Sequence, residues 1–207
     1  MEKPTFRSAL IVGTGPGLSA SLARLFASNG LQVAVAARQT DKLAGLAKET
    51  SAAVHACNAA DLKEVAGLFD ALDAAGRTPD VVVYNASSRV RGPLVDLAPE
   101  DVKRAIEISA FGGFLVSQQA ARRMLPKAHG AIFLTGATAG VKGFALSATF
   151  AMGTGTADSR TASSTSTRAA ADKVLASDAG FVGAGTDSVI GGSSSSLKPR
   201  ALRTNSS

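Results

Sequence analysis

The stretch LIVGTGPGLSASLARLF, residues 10–26, decides the fold. An apolar run of strand length passes through Gly13, Gly15 and Gly17, with Thr14 inside the turn, and enters a segment of helical periodicity opened by Leu18. A tight strand-to-helix turn needs glycine for unusual backbone angles and for close approach of a ligand. The helix start that follows presents free N–H groups and a partial positive charge, both suited to a diphosphate. The spacing departs from the common G-x-G-x-x-G pattern, because Leu18 holds the last position. A glycine cluster also makes an ordinary strand-to-helix turn. Its place on the first strand of a long alternation favours the ligand reading.

Working outward, residues 9–135 alternate short apolar runs with helical stretches. The runs are ALIV (9–12), QVAVA (32–36), AAVHA (52–56), DVVVY (80–84) and GAIFLT (130–135). Leu18, Leu22, Leu25 and Phe26 share one predicted helical face, and Val65, Leu68, Phe69 and Leu72 share another. Asn29-Gly30 reads as a helix stop. Pro99, followed by Glu100 and Asp101, opens a long helix that runs to Met124 or Leu125. Strands alternating with helices imply right-handed crossovers and a parallel sheet covered on both faces. Strands buried on both sides are continuously apolar, as VVV at 81–83 is. The expected class is therefore α/β: a doubly wound parallel sheet of Rossmann type, in a single domain, with its ligand crevice at the carboxyl ends of the strands.

The 207 residues carry 22 Lys and Arg against 16 Asp and Glu, a net charge of +6. Such a balance favours anionic ligands. The basic residues are scattered and lack interleaved aromatics, so nucleic acid is not expected as a partner. No apolar run approaches the roughly 20 residues that span a bilayer, and the first residues show no signal-peptide core. The expectation is a soluble, cytoplasmic protein with no membrane partner. The single cysteine, Cys57, excludes an internal disulfide framework and reads as a buried thiol. His55 and His129 read as structural or exposed, and neither has metal-ligand spacing with Cys57, so no metal is expected. No G-x-S-x-G elbow supports a hydrolase.

After Met152 the composition changes to Gly, Ala, Ser and Thr, and from Gly153 onward Phe181 is the one aromatic. The organisation expected is a dinucleotide-binding core over residues 1–152 and an atypical segment over 153–207, partly disordered because it offers little apolar surface to offset the entropy of ordering. A short helix is expected at AAADKVL.

These motifs, in this order, resemble the short-chain dehydrogenase/reductase family, over residues 7 to about 153. The family's glycine signature T-G-x-x-x-G-x-G falls on Val12, Gly13, Gly17 and Ser19. Its N-N-A-G segment falls on YNAS, which implies that Asn85, Ala86 and Ser87 line a cofactor cleft. Its adenine-contacting stretch after the third strand resembles CNAAD, with Asn58 in place of the acid. Residues 172–192 loosely resemble the family's final segment. An internal deletion and a frameshifted coding segment are the two explanations for their closeness to Phe150.

The resemblance implies a nicotinamide cofactor, and the end of the second strand selects which one. An acid there bonds the ribose 2′-hydroxyl and selects NAD, whereas a nearby Arg accommodates a 2′-phosphate. The chain has Ala37 and then Arg38, so NADP(H) is expected over NAD(H), with Gly13, Thr14, Gly15, Gly17, Leu18, Ser19, Arg38, Asn58, Asn85, Ala86 and Ser87 at the cofactor.

The family's catalytic set is a Ser, a Tyr-x-x-x-Lys pair and an Asn. Carried over, the serine position falls on Ala137, with Thr135 and Thr138 as neighbouring hydroxyls. The tyrosine position falls on Phe150, the lysine position on Thr154 and the Asn position on Ser109. If the chain reduces a carbonyl, Thr138, Thr135 or Ser109 must polarise its oxygen, with water delivering the proton. The leading expectation is an oxidoreductase-like member that binds NADP(H) and transfers hydride to or from a carbonyl or alcohol of unnamed structure. A catalytically silent nucleotide-binding or interaction protein is the alternative, which the Phe150/Thr154 pair discriminates, and a truncated product without function is a third. The family also implies homo-oligomers, formed through the long helix near 99–125 and the helix after the active site.

Overall fold

The computed structural model describes residues 5–138 and 144–157, the last four for their backbone alone. The expectations for the later Ser/Thr-rich segment, for AAADKVL and for 172–192 lie outside the described residues.

Among the described residues five parallel strands form one sheet: β1 (Ser8–Val12), β2 (Gln32–Ala37), β3 (Ala53–Ala56), β4 (Val81–Tyr84) and β5 (Ala131–Leu134), in the order β3-β2-β1-β4-β5. This is the doubly wound sheet expected from the alternation. Each strand matches its apolar run to within a residue or two at the ends. The central strands β1 and β4 are buried along their whole length, because helices cover both faces. Successive side chains point to opposite faces, so each strand feeds two cores. Leu10, Val12, Val82 and Tyr84 pack with Val65, Leu68, Phe69 and Leu72 of α3 (Leu62–Ala74) and with Leu115 and Val116 of α5 (Gly112–Met124). Ala9, Ile11, Val33, Val35, Val81 and Val83 pack with Ala20, Ala23 and Phe26 of α1 (Leu18–Ser28) and Leu46 of α2 (Ala44–Thr50).

The buried face of α3 is the one its periodicity predicts. Its first turn is fixed by Asp61, whose carboxylate accepts from the N–H groups of Lys63 and Glu64, replacing two bonds that a helix start otherwise lacks. In α1 the expected face is rotated. Ser19, Ala20, Ala23 and Phe26 are buried, whereas Leu18 is 45% exposed. The helix lies over the glycine turn on its smallest side chains, and a leucine at position 19 or 20 would hold it off the sheet. Asn29 caps its end and Gly30 takes a positive φ of 80°, as the helix stop predicts.

The long helix from Pro99 is present but not regular. α4 (Pro99–Ile106) leads into a π-helical turn at Glu107–Phe111 before α5 resumes. α6 (Ala148–Ala157) packs back against α4 and this turn. Among the described residues, no helix is long and apolar enough to cross a membrane.

Candidate functional site

The chain leaves β1 outward to β2 and β3, then crosses back to place β4 on the other side of β1. The two outgoing connections diverge at the carboxyl ends of β1 and β4, and a crevice must open between them. A cleft of about 790 Å³ lies there, walled by Gly13, Thr14 and Gly15 after β1, Arg38 and Gln39 after β2, Cys57 and Asn58 after β3, and Asn85, Ala86 and Ser87 after β4.

Gly13 decides how narrow the floor of the cleft is. Its φ is +84°, and a Cβ on it would come within 2.7 Å of Ala86 Cβ and closer still to that residue's backbone. Both facts demand glycine. The N–H groups of Gly13 and Thr14 donate to Ala36 O at 2.9 and 3.1 Å, and the Thr14 hydroxyl donates to Ile11 O at 3.0 Å. The turn is thus tied to β1 and β2. Gly15 lines the cleft with nothing within 4 Å of where a side chain would stand, so the backbone is open to a ligand there. α1 starts beside it with no side-chain cap, which leaves its first N–H groups suited to an anion.

Behind this wall runs a chain of hydrogen bonds. The Thr135 hydroxyl donates to Asn85 Oδ1 at 2.9 Å, Asn85 Nδ2 donates to Ser19 Oγ at 2.7 Å, and Ser19 Oγ donates to Gly13 O at 3.2 Å. One line of polar groups therefore ties the end of β5 to the end of β4, the start of α1 and the glycine turn. Ser19 is 1% exposed. It sits in this line, not on the wall of the cleft, and Gly17 and Leu18 also stand off the wall. Part of the expected cofactor set thus shapes the turn from behind.

The wall also holds residues that the sequence reading missed: Arg24, Gln39 and Lys42 at the outer end, and Ile108 at the end facing β4. Arg24 lies on α1 one turn beyond Ala20, and Lys42 lies four residues after Arg38, so basic residues near the end of β2 were the available signal. Arg24 is engaged with Glu49, its Nε and Nη2 donating at 2.7 and 2.8 Å. Arg38 and Lys42 are exposed and form no ion pair among the described residues. The described wall carries three cations and no carboxylate. Cys57 is buried as expected, and burial with the nearby Glu64 and Asp61 carboxylates pushes its thiol up to about 11. Burial likewise raises the Tyr84 phenol, whose hydroxyl donates to Ile108 O in the π-helical turn.

At the other end, two of the three expected hydroxyls are taken. Thr135 donates within the line described above. Ser109, 4% exposed in the π-helical turn, accepts from the Ser88 N–H at 3.1 Å. It is covered by α6, where a Cβ on Gly153 would come within 2.7 Å of Ser109 Cβ. Neither is on the cleft wall, and nor is Thr138. Thr138 is exposed and makes no hydrogen bond among the described residues. Phe150 lies on α6 with the Arg89 guanidinium carbon 4.0 Å from its ring centroid. The surroundings of the Thr154 side chain lie outside the described residues. Among those residues no cluster of His, Cys, Asp or Glu could hold a metal ion.

Residues 7–157 match the model of the short-chain dehydrogenases. The chain belongs to that family. It is 33% identical over 133 residues to (+)-borneol dehydrogenase 1 of Salvia officinalis, a match covering 61% of this chain and 50% of that protein. It is 34% identical over 135 residues to momilactone A synthase of Oryza sativa subsp. japonica, covering 61% and 48%. The chain thus spans about half the length of the curated relatives it matches. Among solved structures it resembles a Phe-to-Trp variant of actinorhodin polyketide ketoreductase with NADPH, at TM-score 0.70 and 26% identity, over 73% of this chain and 60% of that one. It also resembles a gluconate 5-dehydrogenase of Burkholderia cenocepacia in complex with NADP and tartrate, at TM-score 0.68 and 28% identity, over 73% and 61%.

Proposed function

We propose that this member of the family binds NADP(H) in preference to NAD(H) and acts on a carbonyl or alcohol substrate. The observation that carries the reading is the outer end of the cleft: Arg38 and Lys42 stand there without an ion-pair partner, and no described wall residue is acidic. A ribose 2′-hydroxyl selects an acid, whereas a 2′-phosphate needs cations. Related chains seen with NADPH or NADP support it. The open backbone at Gly15 and the uncapped start of α1 would hold the diphosphate, and Asn58 would border the adenine. When bound, the cofactor supplies or takes up the hydride. The chain's own part at the reacting end is to fix the carbonyl oxygen. Of the three hydroxyls, Thr138 is the one left for that role, with water giving the oxygen its proton.

Melting curves with added coenzyme test the reading. At 100 times its dissociation constant, NADPH should raise the melting temperature by about 5–10 °C, and NADH at equal concentration should do less. Arg38→Ala should weaken NADPH about tenfold and leave NADH unchanged, as loss of a charge-assisted bond to phosphate would. Equal stabilisation by both coenzymes, or an NADPH affinity untouched by Arg38→Ala, would overturn it.

A further inference from the structure

Among the described residues two arginines lie against phenylalanine rings, and they differ in what else they do. Arg123 stands with its guanidinium carbon 5.1 Å from the Phe69 centroid, and its nitrogens are spent on Asp73 at 2.5 Å, Asp70 at 2.8 Å and the Gln119 side-chain oxygen at 2.7 Å. Arg89 approaches Phe150 more closely, at 4.0 Å. It is exposed and has neither an ion pair nor a hydrogen bond among the described residues.

The backbone on both sides of Arg89 is fastened. The Ser88 N–H donates to the buried Ser109 hydroxyl at 3.1 Å. On the other side, Thr149, which is 0% exposed, donates its hydroxyl to Val90 O at 2.8 Å and accepts from Val90 N–H at 3.3 Å. An arginine so placed has lost much of the freedom that makes an exposed guanidinium expensive to immobilise. A guanidinium held over a ring by its carbon spends none of its N–H donors on that contact, and they keep the planar fork that matches a carboxylate. The location matters as much as the geometry. Ala86 and Ser87, the residues just before this loop, wall the cleft at the end of β4, opposite the cationic outer end, and Arg89 and Phe150 lie beyond that wall. Phe150 occupies the position that the family resemblance gives to its catalytic tyrosine.

We propose that Arg89, seated on Phe150, is the anchor for a substrate carboxylate, and that the substrate is an oxo acid or the corresponding hydroxy acid. This rests on the cofactor reading above, since it places the carboxylate just past Ser87, beyond the β4 end of the cleft where the nicotinamide would lie. The bidentate fork would orient the acid so that its carbonyl, one or two bonds away, faces the cofactor. Lysine would not substitute, because an ammonium lacks both the flat face and the fork.

The test uses the purified full chain, with 2-oxobutanoate and its methyl ester as probes and binding followed by calorimetry or ligand-observed NMR. The experiment is run with and without NADP+. The acid should bind at least tenfold more tightly than the ester in the presence of the coenzyme. Arg89→Ala should erase that ratio, and Arg89→Lys should restore only a small part of it. The NADPH-induced rise in melting temperature should be the same in all three proteins. Equal binding of acid and ester by the unaltered chain overturns the proposal without recourse to any variant, and so does an acid-to-ester ratio that survives Arg89→Ala. If NADPH leaves the melting temperature unchanged, the cofactor reading fails. The acid-to-ester ratio measured without coenzyme then still decides whether Arg89 holds a carboxylate.

Discussion

The two ends of the cleft are built by different means. At the end proposed for the diphosphate the parts are backbone: a glycine at φ +84° pressed on Ala86, an open Gly15, and the uncapped start of a helix. At the end proposed for the reaction the parts would be side chains, and most of the polar ones there already serve the fold. Thr135 holds Asn85, Ser109 holds Ser88, and Thr149 holds Val90. The contrast teaches that a backbone site and the fold it sits in are one object, so the site survives wherever the fold does. A side-chain site can be drawn into structural duty one hydroxyl at a time, and here Thr138, Arg89 and the wall residue Ser87 are among the side chains left uncommitted in the described residues.

The strongest blow to this comparison is Gly13→Ala. Left-handed strain and the clash with Ala86 together should cost about 3 kcal/mol or more, read as a loss of denaturation midpoint along with loss of coenzyme binding. A variant that kept both would show that the turn is not rigid. Thr138→Ala sharpens the other side: kcat for carbonyl reduction should fall about a hundredfold, the scale of one lost donor to a developing oxyanion, while the melting temperature holds. Thr135→Val should do the reverse, lowering stability more than turnover. If the two exchanged behaviour, the assignment of structural and reacting hydroxyls would be inverted.

Ser19→Ala probes the line of hydrogen bonds that joins the two ends. It leaves Asn85 Nδ2 without its acceptor in a part-buried place, which should cost about 1 kcal/mol, and a urea midpoint identical to that of the parent would remove the line from the account. The smallest effect concerns pH. The folded-state Cys57 thiol is raised from its ordinary value near 9 to about 11, so the native state holds that proton more tightly than the unfolded chain does. Its contribution is complete below pH 9 and is lost as pH climbs through 11. Cys57→Ala should therefore flatten the fall of stability between pH 9 and 11, with the raised Tyr84 phenol sustaining a remaining decline above about pH 10. Urea titrations of both proteins at pH 8 and 10.5 would show it, and parallel curves would contradict it.

The parallel sheet, its helices and the place of the cleft follow from the order of the apolar runs. The buried face of α3 was legible because Val65, Leu68, Phe69 and Leu72 repeat at helical spacing and Asp61 stands before them. The face of α1 was misjudged because periodicity weighs leucine above alanine, while close packing beside the turn admits only Ser19, Ala20 and Ala23 on the inside. The regular helix expected from Pro99 carries a π-helical turn at Glu107–Phe111, since nothing in local propensity announces a bulge that exists to meet Tyr84 and α6.

By itself the sequence determined what depends on pattern along the chain: the fold class, the glycine turn and the basic residue after β2. Tertiary structure alone decided which groups lie behind the wall and which lie on it, that Lys42 joins Arg38, that Ser109 and Thr135 are engaged, and that Arg89 rests on Phe150. The physical reason is range. Strand and helix periodicity are set by neighbours within a few residues, whereas a hydroxyl's partner 50 residues away and a guanidinium's ring 61 positions further on exist only once the chain has folded.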